Sequence, residues 1–452
     1  MSWSEDEPIY KTKRMPTVGG MFKRILILVA GVVLGFGLAL GAGRLALAWG
    51  WWPSRDLSRS MDFVRDVVKL VNENYVDASA VSYDSLSKTA VHGLVESLDA
   101  HSEYLEAKDY AQLQEDLSGD FTGIGIQVEL RNGRARVIAP IANSPAERAG
   151  VQRGDEIQSI DGRPLEKDFT LSSITERLRG RPGTSVLVGF LRPSTQQSLT
   201  FALTREKIQL QSVRAPQLLS GGVGYVQITE FSDHTADDFH DAIDSLLEQG
   251  MQALVLDLRN NPGGLLEAAV EVAEPFFGRG ELIVSTQGRT PKDREEYLSE
   301  TRGPPLRLPI AILINGSTAS AAEVVTGALK DTGRAIVIGE KSFGKGSVQS
   351  IFDLPGKQGL RLTTARYYTP SGTSIHAKGI EPQVELVLSA EEDSKIRVQQ
   401  TRADITDPVE FKERFGFTPI PDRQLQAALD VLTGIRILET RKVAAGPRRS
   451  IQ

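Results

Sequence analysis

Short apolar runs alternate with amphipathic segments over residues 222–390, and this alternation constrains the fold more than any other feature of the sequence. Four of the runs have the length and composition of buried strands: 223–228, 253–258, 309–314 and 335–338. Segments of helical period separate them, at 236–249, 265–276 and 320–331. Strands that alternate with helices form α/β folds with a largely parallel sheet. We therefore predict an α/β core over residues 207–390.

A different pattern covers residues 118–206, where glycine, proline and short β-rich runs dominate. Asn132-Gly133 is a hairpin turn signal between the first two of these runs. Two short segments, 145–149 and 171–178, have helical patterns. We predict a small β-rich module of about 90 residues, with strands at 124–130, 135–138, 156–160, 185–191 and 198–203.

Helices are predicted on both sides of these two regions. In residues 56–117, apolar side chains recur at helical spacing, and we expect one such stripe to be buried: Phe63, Val64, Val67, Val68 and Val71. In residues 391–452, one helix starting near Pro421 has an apolar face from Leu425 to Ile435. This face packs on the body of the protein or on a second subunit, so the sequence leaves self-association open.

The first 48 residues predict a membrane or export segment. The run 25–43 is uncharged, apolar and long enough to span a bilayer as a helix, and five Lys or Arg residues precede it. By the positive-inside rule, residues 1–24 are a cytoplasmic leader and the chain after residue 48 is exported. Residues 25–48 are then an anchor in the inner membrane or a signal segment cleaved near Ala46-Leu47-Ala48, and both alternatives stay open.

Composition excludes several kinds of chemistry. The chain has no cysteine, so it has neither disulfides nor a thiolate nucleophile. Its five histidines include no i, i+4 pair of the kind that binds zinc on a helix. The exported part carries an excess of acidic over basic residues, so we expect no broad nucleic-acid-binding surface. We also expect no metal and no cofactor.

Two patterns near residue 345 resemble known sites but lack required parts. Gly339-x4-Gly344-Lys345 resembles a phosphate-binding loop. Gly346 stands where the magnesium-binding Ser or Thr is required, and a strand is predicted to follow instead of a helix. Ser342-x2-Lys345 has the spacing of penicillin-recognising enzymes, but a glycine lies inside it and the companion K-T-G motif is missing. We therefore expect neither kind of site.

A third pattern pairs Ser320 with Lys345. Ser320 opens a predicted helix directly after a strand, where the free N–H groups of the first turn can stabilise an oxyanion. The same serine also fits a capping box with Glu323, in which its hydroxyl only caps the helix. Lys345 equally fits a solvated charge on a glycine-rich turn. The residue types alone leave these interpretations undecided.

The motifs around this pair resemble those of the carboxyl-terminal processing proteases, which are serine peptidases of bacteria and plastids with a Ser–Lys dyad. The resemblance covers about residues 60–390. Its motifs occur in order: SLDAHSEY at 97–104, GIGI at 123–126, DLRNNPGG at 257–264, STASAAE at 317–323 with GEKSFGKGSVQ at 339–349, and LTTARYYTPSG at 362–372. Ala100 and Ala322 depart from the family's usual Pro and Ser, and neither belongs to the dyad.

The resemblance implies that Ser320 is the nucleophile, Lys345 the general base and Gln349 a support for the lysine. A lysine base must be neutral near pH 7, so we expect Lys345 to be buried and its pKa to be lowered. Gln349 lies four residues further along a predicted strand, so we expect it on the same face as Lys345. The expected oxyanion donors are the amide of Ala321 and that of Gly263 or Gly264.

The resemblance also implies a PDZ domain over residues 118–206, in which the substrate's C-terminus binds to Gly123, Ile124, Gly125 and Ile126. The expected protein is an endopeptidase at the periplasmic side of a bacterial inner membrane. It would capture unstructured C-terminal tails of envelope proteins and cut near them. A homo-oligomer and an activating adaptor protein stay open. The alternative is a catalytically silent PDZ adaptor that only binds C-terminal tails.

Overall fold

The computed structural model describes residues 55–131, 133–166, 168–402 and 405–445, together with Gly31, Leu34 and Gly35. The predicted leader and nearly all of the predicted segment 25–48 lie outside these residues. Among the described helices, none combines the length and the apolar character needed to cross a membrane. The chain divides into two compact units: the first ends at Leu94 and the second begins at Val95.

The described part of the first unit is helical. Helix α1 spans Arg55–Asn74, a 3-10 turn spans Ala78–Ala80, and helix α2 spans Tyr83–Glu96, so that its last two residues belong to the second unit. The prediction of a buried stripe on α1 is wrong, because no residue of this helix is buried and Phe63 is 70% exposed. Helical periodicity identifies an apolar face, but burial also requires an element that packs on it.

The second unit begins with strand β1 (Glu103–Leu105), helix α3 (Ala107–Ser118) and strand β2 (Asp120–Gly123), and the β-rich module follows. The module has one antiparallel sheet in the order β3-β4-β5-β7-β8, with β6 on β5, and two helices. The predicted strands and helices of this region are confirmed to within two residues at each end. The elements are β3 (Ile126–Arg131), β4 (Arg134–Pro140), α4 (Pro145–Arg148), β5 (Glu156–Ile160), β6 (Arg163–Pro164), α5 (Leu171–Leu178), β7 (Ser185–Arg192) and β8 (Gln197–Thr204).

The core contains the predicted α/β arrangement. After β9 (Glu206–Gln209), which pairs with β2, a six-stranded sheet has the order β10-β11-β12-β15-β16-β19. All its strands are parallel except β10, so the prediction of a parallel-rich sheet is confirmed. The elements are β10 (Val213–Leu219), β11 (Val223–Ile228), α6 (Thr235–Glu248), β12 (Ala253–Asp257), α7 (Leu266–Ala273), β13 (Leu282–Gln287), β14 (Arg294–Leu298), β15 (Ile310–Ile314), α8 (Ala321–Asp331), β16 (Ala335–Gly339), β17 (Ser347–Leu354), β18 (Gln358–Tyr368) and β19 (Val384–Glu385), with 3-10 turns at Glu274–Phe276 and Pro291–Asp293.

A second, antiparallel sheet in the core was not predicted. Its order is β1-β18-β13-β14, and β17 pairs with β18 on the side. Strand β18 lies at its centre and is long, half exposed and without a clean alternation of apolar and polar side chains. Such a strand has only a weak sequence signal. This sheet brings residues 103–105 next to residues 359–361, which are far away in sequence.

The C-terminal region has more helices than the single one predicted. They are α9 (Ala390–Thr401), α10 (Pro408–Phe415) and α11 (Arg423–Ala445). Ala428 and Leu432 of α11 are fully buried against the parallel sheet, on the face opposite to that covered by α6, α7 and α8. The apolar face of the predicted helix therefore packs on the body of the protein.

Candidate active site

Ser320 and Lys345 line the same cleft, which has a volume of about 950 Å³. Ser320 follows strand β15 and Lys345 follows strand β16, so both lie in loops at the carboxyl ends of neighbouring parallel strands. Gly264 and Gln349 also line this cleft. Ligands of open α/β sheets bind at this edge, because the loops that follow parallel strands meet there.

Ser320 lies in a sharp turn between β15 and α8. Its φ of 53° and ψ of −118° place a residue other than glycine in a sparsely populated conformation, which costs of the order of 1–3 kcal/mol. The residue is 8% exposed and begins the helix without a cap bond from its side chain. The amide of Glu323 donates to the main-chain carbonyl of Ser320 at 2.8 Å. The reciprocal half of a capping box with Glu323 is present, since the amide of Ser320 donates to Oε2 of Glu323 at 2.8 Å.

Glu323 joins the two loops that carry the serine and the lysine. Its carboxylate is fully buried, and burial raises its pKa, while the hydrogen bonds it accepts oppose this shift. Each carboxylate oxygen accepts two hydrogen bonds: both donors on Oε1 lie in the lysine loop, whereas Oε2 accepts one bond from each loop. The donors are the amide of Ser320 (2.8 Å), the hydroxyl of Ser342 (2.5 Å) and the amides of Gly344 (2.7 Å) and Lys345 (2.9 Å).

Lys345 is half-buried in the loop before β17. Burial lowers the pKa of its ammonium group from the ordinary value of 10.5, and the positive charge of Arg361 lowers it further. Both effects disfavour the charged form, so a larger fraction of this lysine is neutral at a given pH than for a solvated lysine. A neutral amine can accept a proton, as a general base must.

Gln349 lines the cleft, but the strand argument that placed it beside Lys345 is wrong. Strand β17 begins after Lys345, at Ser347, and a bulge between Val348 and Gln349 interrupts its alternation. The side-chain amide of Gln349 donates to the hydroxyl of Thr363 at 2.8 Å and to that of Ser347 at 3.2 Å. Its Oε1 atom is buried and accepts no hydrogen bond from the described residues.

The turn after β12 distinguishes its two glycines. The amide of Gly263 donates to Oδ1 of Asn261 at 2.8 Å and is therefore occupied. The amides of Gly264 and Ala321 donate to no acceptor among the described residues. A Cβ atom on Gly263 would lie 2.6 Å from Cβ of Ser320, so this glycine allows the turn to approach the serine closely. The geometry favours Gly264, together with Ala321, as the pair of oxyanion donors.

The loop around His101 borders the same cleft, which Asp99 and Ser102 line. Burial lowers the pKa of His101, and the charge of Lys345 contributes next. Asp99 accepts hydrogen bonds from the amides of His101 (2.7 Å) and Ser102 (2.9 Å). The hydroxyl of Ser102 accepts from the amide of Thr363 at 3.1 Å. The contact between Ser102 and Thr363 joins residues far apart in sequence and accompanies the pairing of β1 with β18.

The predicted tail-binding residues lie at the start of the module. Ile124 is buried in the module core, and Gly125 has a φ of 75°. A Cβ atom on Gly125 would lie 2.1 Å from Cβ of Ser144, so a larger residue does not fit there. Ile126 begins β3, which is an edge strand paired with β4. An edge strand of this kind can receive an added peptide strand.

Comparisons with known proteins match both parts of the chain. A family model described as peptidase family S41 matches residues 222–386, and a PDZ domain model matches residues 122–203. The chain is 36% identical over 368 residues to a carboxy-terminal-processing protease of Bartonella bacilliformis, with 80% of this chain and 82% of that protein covered. It is 34% identical over 332 residues to the carboxy-terminal processing protease CtpB of Bacillus subtilis, which covers 73% of this chain and 68% of CtpB. Among solved structures, the photosystem II D1 C-terminal processing protease matches with 31% identity over 72% of this chain and 92% of that chain, at a TM-score of 0.41.

Proposed function

The chain belongs to the carboxy-terminal-processing proteases of peptidase family S41 and is a serine-type peptidase, and from this premise we propose that it hydrolyses peptide bonds with a Ser320–Lys345 dyad. One observation carries the assignment. A serine at a helix start and a half-buried lysine of lowered pKa line one cleft, together with Gly264, whose amide has no acceptor among the described residues. A solvated surface lysine would be exposed, and burial would not lower its pKa.

In this mechanism neutral Lys345 takes the proton of the Ser320 hydroxyl while Oγ attacks the carbonyl carbon of the substrate. The amides of Gly264 and Ala321 donate hydrogen bonds to the resulting oxyanion. The carbon–nitrogen bond then breaks, and Lys345 returns the proton to the leaving amine. Water, deprotonated by the same lysine, hydrolyses the acyl-enzyme and restores the serine. Gln349, held by Thr363, supports the wall of the cleft beside the lysine.

The module supplies the choice of substrate in this proposal. An unstructured C-terminal tail adds to the edge strand β3, and its carboxylate binds to the loop of Gly123, Ile124, Gly125 and Ile126. The match of residues 122–203 to a PDZ domain and the free side of β3 support this assignment. The charge pattern before the run 25–43 supports a location on the periplasmic side of an inner membrane, where the substrates are envelope proteins.

The dyad is tested by cleavage of an unfolded protein by the full-length chain and its variants. We expect Ser320→Ala and Lys345→Ala to lose cleavage, since each removes a group that takes part in bond making. Lys341→Ala is the matched control, because Lys341 lies in the same loop but is exposed and paired with Glu381. Cleavage by both dyad variants at the parent rate would leave the PDZ adaptor as the better assignment.

Tail capture is tested separately with two peptides of one sequence, one ending in a free carboxylate and the other in an amide. We expect the amide to raise KM, because the loop loses the charge it binds. Equal KM values for the two peptides would remove the role of the module in capturing C-termini, and would leave the dyad unaffected.

A further inference from the structure

Arg259, the first residue of the turn that contains Gly264, has a hydrogen-bond acceptor for each of its five N–H groups. The guanidinium is almost completely buried. Asp257, two residues earlier, accepts from Nε and from Nη2. The remaining acceptors come from the far end of the chain. They are Asp422, which accepts from Nη1 (3.0 Å) and Nη2 (2.7 Å), and Gln424, which accepts from Nη1 (3.0 Å).

Asp422 makes this bidentate contact while it also starts helix α11. Its Oδ1 atom accepts from the amide of Leu425 at 3.0 Å, in the manner of a helix cap. Gln424 is fully buried and also donates to the carbonyl of Leu386 at 2.8 Å. Both residues lie beyond the stretch 222–386 that matches the peptidase family model.

The turn that begins at Arg259 belongs to no helix or strand up to Gly263, so contacts from outside the turn hold it in position. Asn260, Gly263 and Gly264 all have positive φ values, of 60°, 102° and 141°. Gly264 must point its amide into the cleft, and a displacement of about 1 Å in such a site can cost on the order of 10²-fold in rate. A planar guanidinium with two carboxylates fixed on its edges restrains the start of the turn in position and direction.

We propose that Asp422 is a positioning residue for the oxyanion hole, which it holds through Arg259. The inference rests on the proposed Ser320–Lys345 mechanism. It predicts that the C-terminal region acts on the chemical step and not on substrate binding. Loss of the Asp422 contact lets the Gly264 amide move away from the oxyanion, whose stabilisation matters only in the transition state.

The test uses Asp422→Ser in the full-length protein, because serine keeps a helix cap but does not reach Arg259. Asp407→Ser is the matched control. Asp407 caps α10 in the same region, accepting from the amide of Val409 at 2.9 Å, and it is exposed. Two quantities are measured: kcat and KM on an unfolded peptide substrate, and the Kd of a peptide boronic acid, which forms a tetrahedral adduct on Ser320.

We expect Asp422→Ser to lower kcat at least tenfold, up to the roughly 10²–10³-fold that loss of an oxyanion donor costs. KM should change little, and the boronic acid should bind more weakly by about the same factor as kcat/KM. Asp407→Ser should match the parent. If Asp422→Ser does not fold, Asp422→Asn keeps the cap and the side-chain size and is measured in the same way, with the same expectation of lowered kcat.

Two outcomes would overturn the inference. One is a kcat within twofold of the parent for the folded Asp422 variant. The other is a raised KM at unchanged kcat, which would make Asp422 a part of substrate binding. Ser320→Ala, measured alongside, separates this failure from failure of the proposed function. If that variant still cleaves, the dyad is wrong; if it is inactive, only the role of Asp422 is refuted.

Discussion

Replacement of Glu323 by glutamine tests whether one carboxylate holds the serine and lysine loops together. The two hydrogen bonds on Oε1 come from Ser342 and Gly344, and the two on Oε2 come from Ser320 and Lys345. A glutamine keeps one oxygen and replaces the other by an NH₂ group, which donates. Whichever way the amide points, the two donors on the replaced oxygen lose their acceptor.

The expected cost follows from these contacts. A buried donor left without an acceptor costs about 1–3 kcal/mol. The substitution also removes a buried charge, and since burial raises the pKa of Glu323, its removal recovers part of the loss. We expect a net destabilisation of about 2–4 kcal/mol, which for a domain of this size lowers Tm by about 4–16 °C. Activity should fall as well, because the lysine loop loses its tie to Ser320.

Calorimetric unfolding and peptide cleavage by the full-length protein measure the two effects. Glu392→Gln is the matched control, because Glu392 forms a capping box with Ser389 at the start of α9 but is only partly buried, with 35% of its side chain exposed. We expect that change to cost less than about 1 kcal/mol. A Glu323→Gln protein that unfolds at the parent temperature and cleaves at the parent rate would refute the argument that this carboxylate joins the loops.

Two further predictions concern the lysine and the turn. Arg361→Gln should move the acid limb of the kcat/KM profile to higher pH. Burial is the main cause of the lowered pKa of Lys345, and the charge of Arg361 lowers that pKa further. Without this charge the pKa of Lys345 rises, so a smaller fraction of the lysine is neutral at a given pH. Glu103→Gln leaves the Arg361 charge in place, so a shift to higher pH in that control would contradict the explanation. Gly264→Ala should lower kcat/KM at least a hundredfold, because its Cβ would lie 2.0 Å from a neighbouring carbonyl oxygen. Gly280→Ala is the control: it is also at positive φ but has open space around it, and it should keep the parent activity. Equal activities of the two variants would show that the clash at Gly264 is tolerated.

The sequence predicted the elements whose signals are local. The strands of the module are bounded by turn residues, and those of the parallel sheet are short apolar runs buried on both faces, so their positions could be read from neighbouring residues. The stripe on α1 has an equally clear period, yet Phe63 is exposed. Periodicity reports the conformation of a segment, whereas burial depends on a second segment that the pattern does not contain.

The residues of the candidate site likewise divide into those with a local sequence signal and those without one. Ser320 and Lys345 could be proposed from the sequence because each lies in a loop with recognisable motifs. The bulge that displaces Gln349 could not, since a bulge arises from the pairing of two strands and not from one of them. The choice of Gly264 over Gly263 also needed the structure, because it depends on which amide Asn261 already occupies.

The contacts that support the site are the least visible in sequence. A capping box already explains a glutamate at position 323. Nothing in the sequence therefore suggests that the same carboxylate reaches a loop some 20 residues away. Arg259 and Asp422 are 163 residues apart and meet only because α11 packs on the parallel sheet, whose strand β12 ends two residues before Arg259. A residue that reacts must belong to a small set of chemical types and is therefore conspicuous. A residue that positions another needs only to be an acceptor in the right place, and most acidic residues of any chain fit that description. The supporting residues of this site thus follow from the fold, and they can be tested only after the fold is known.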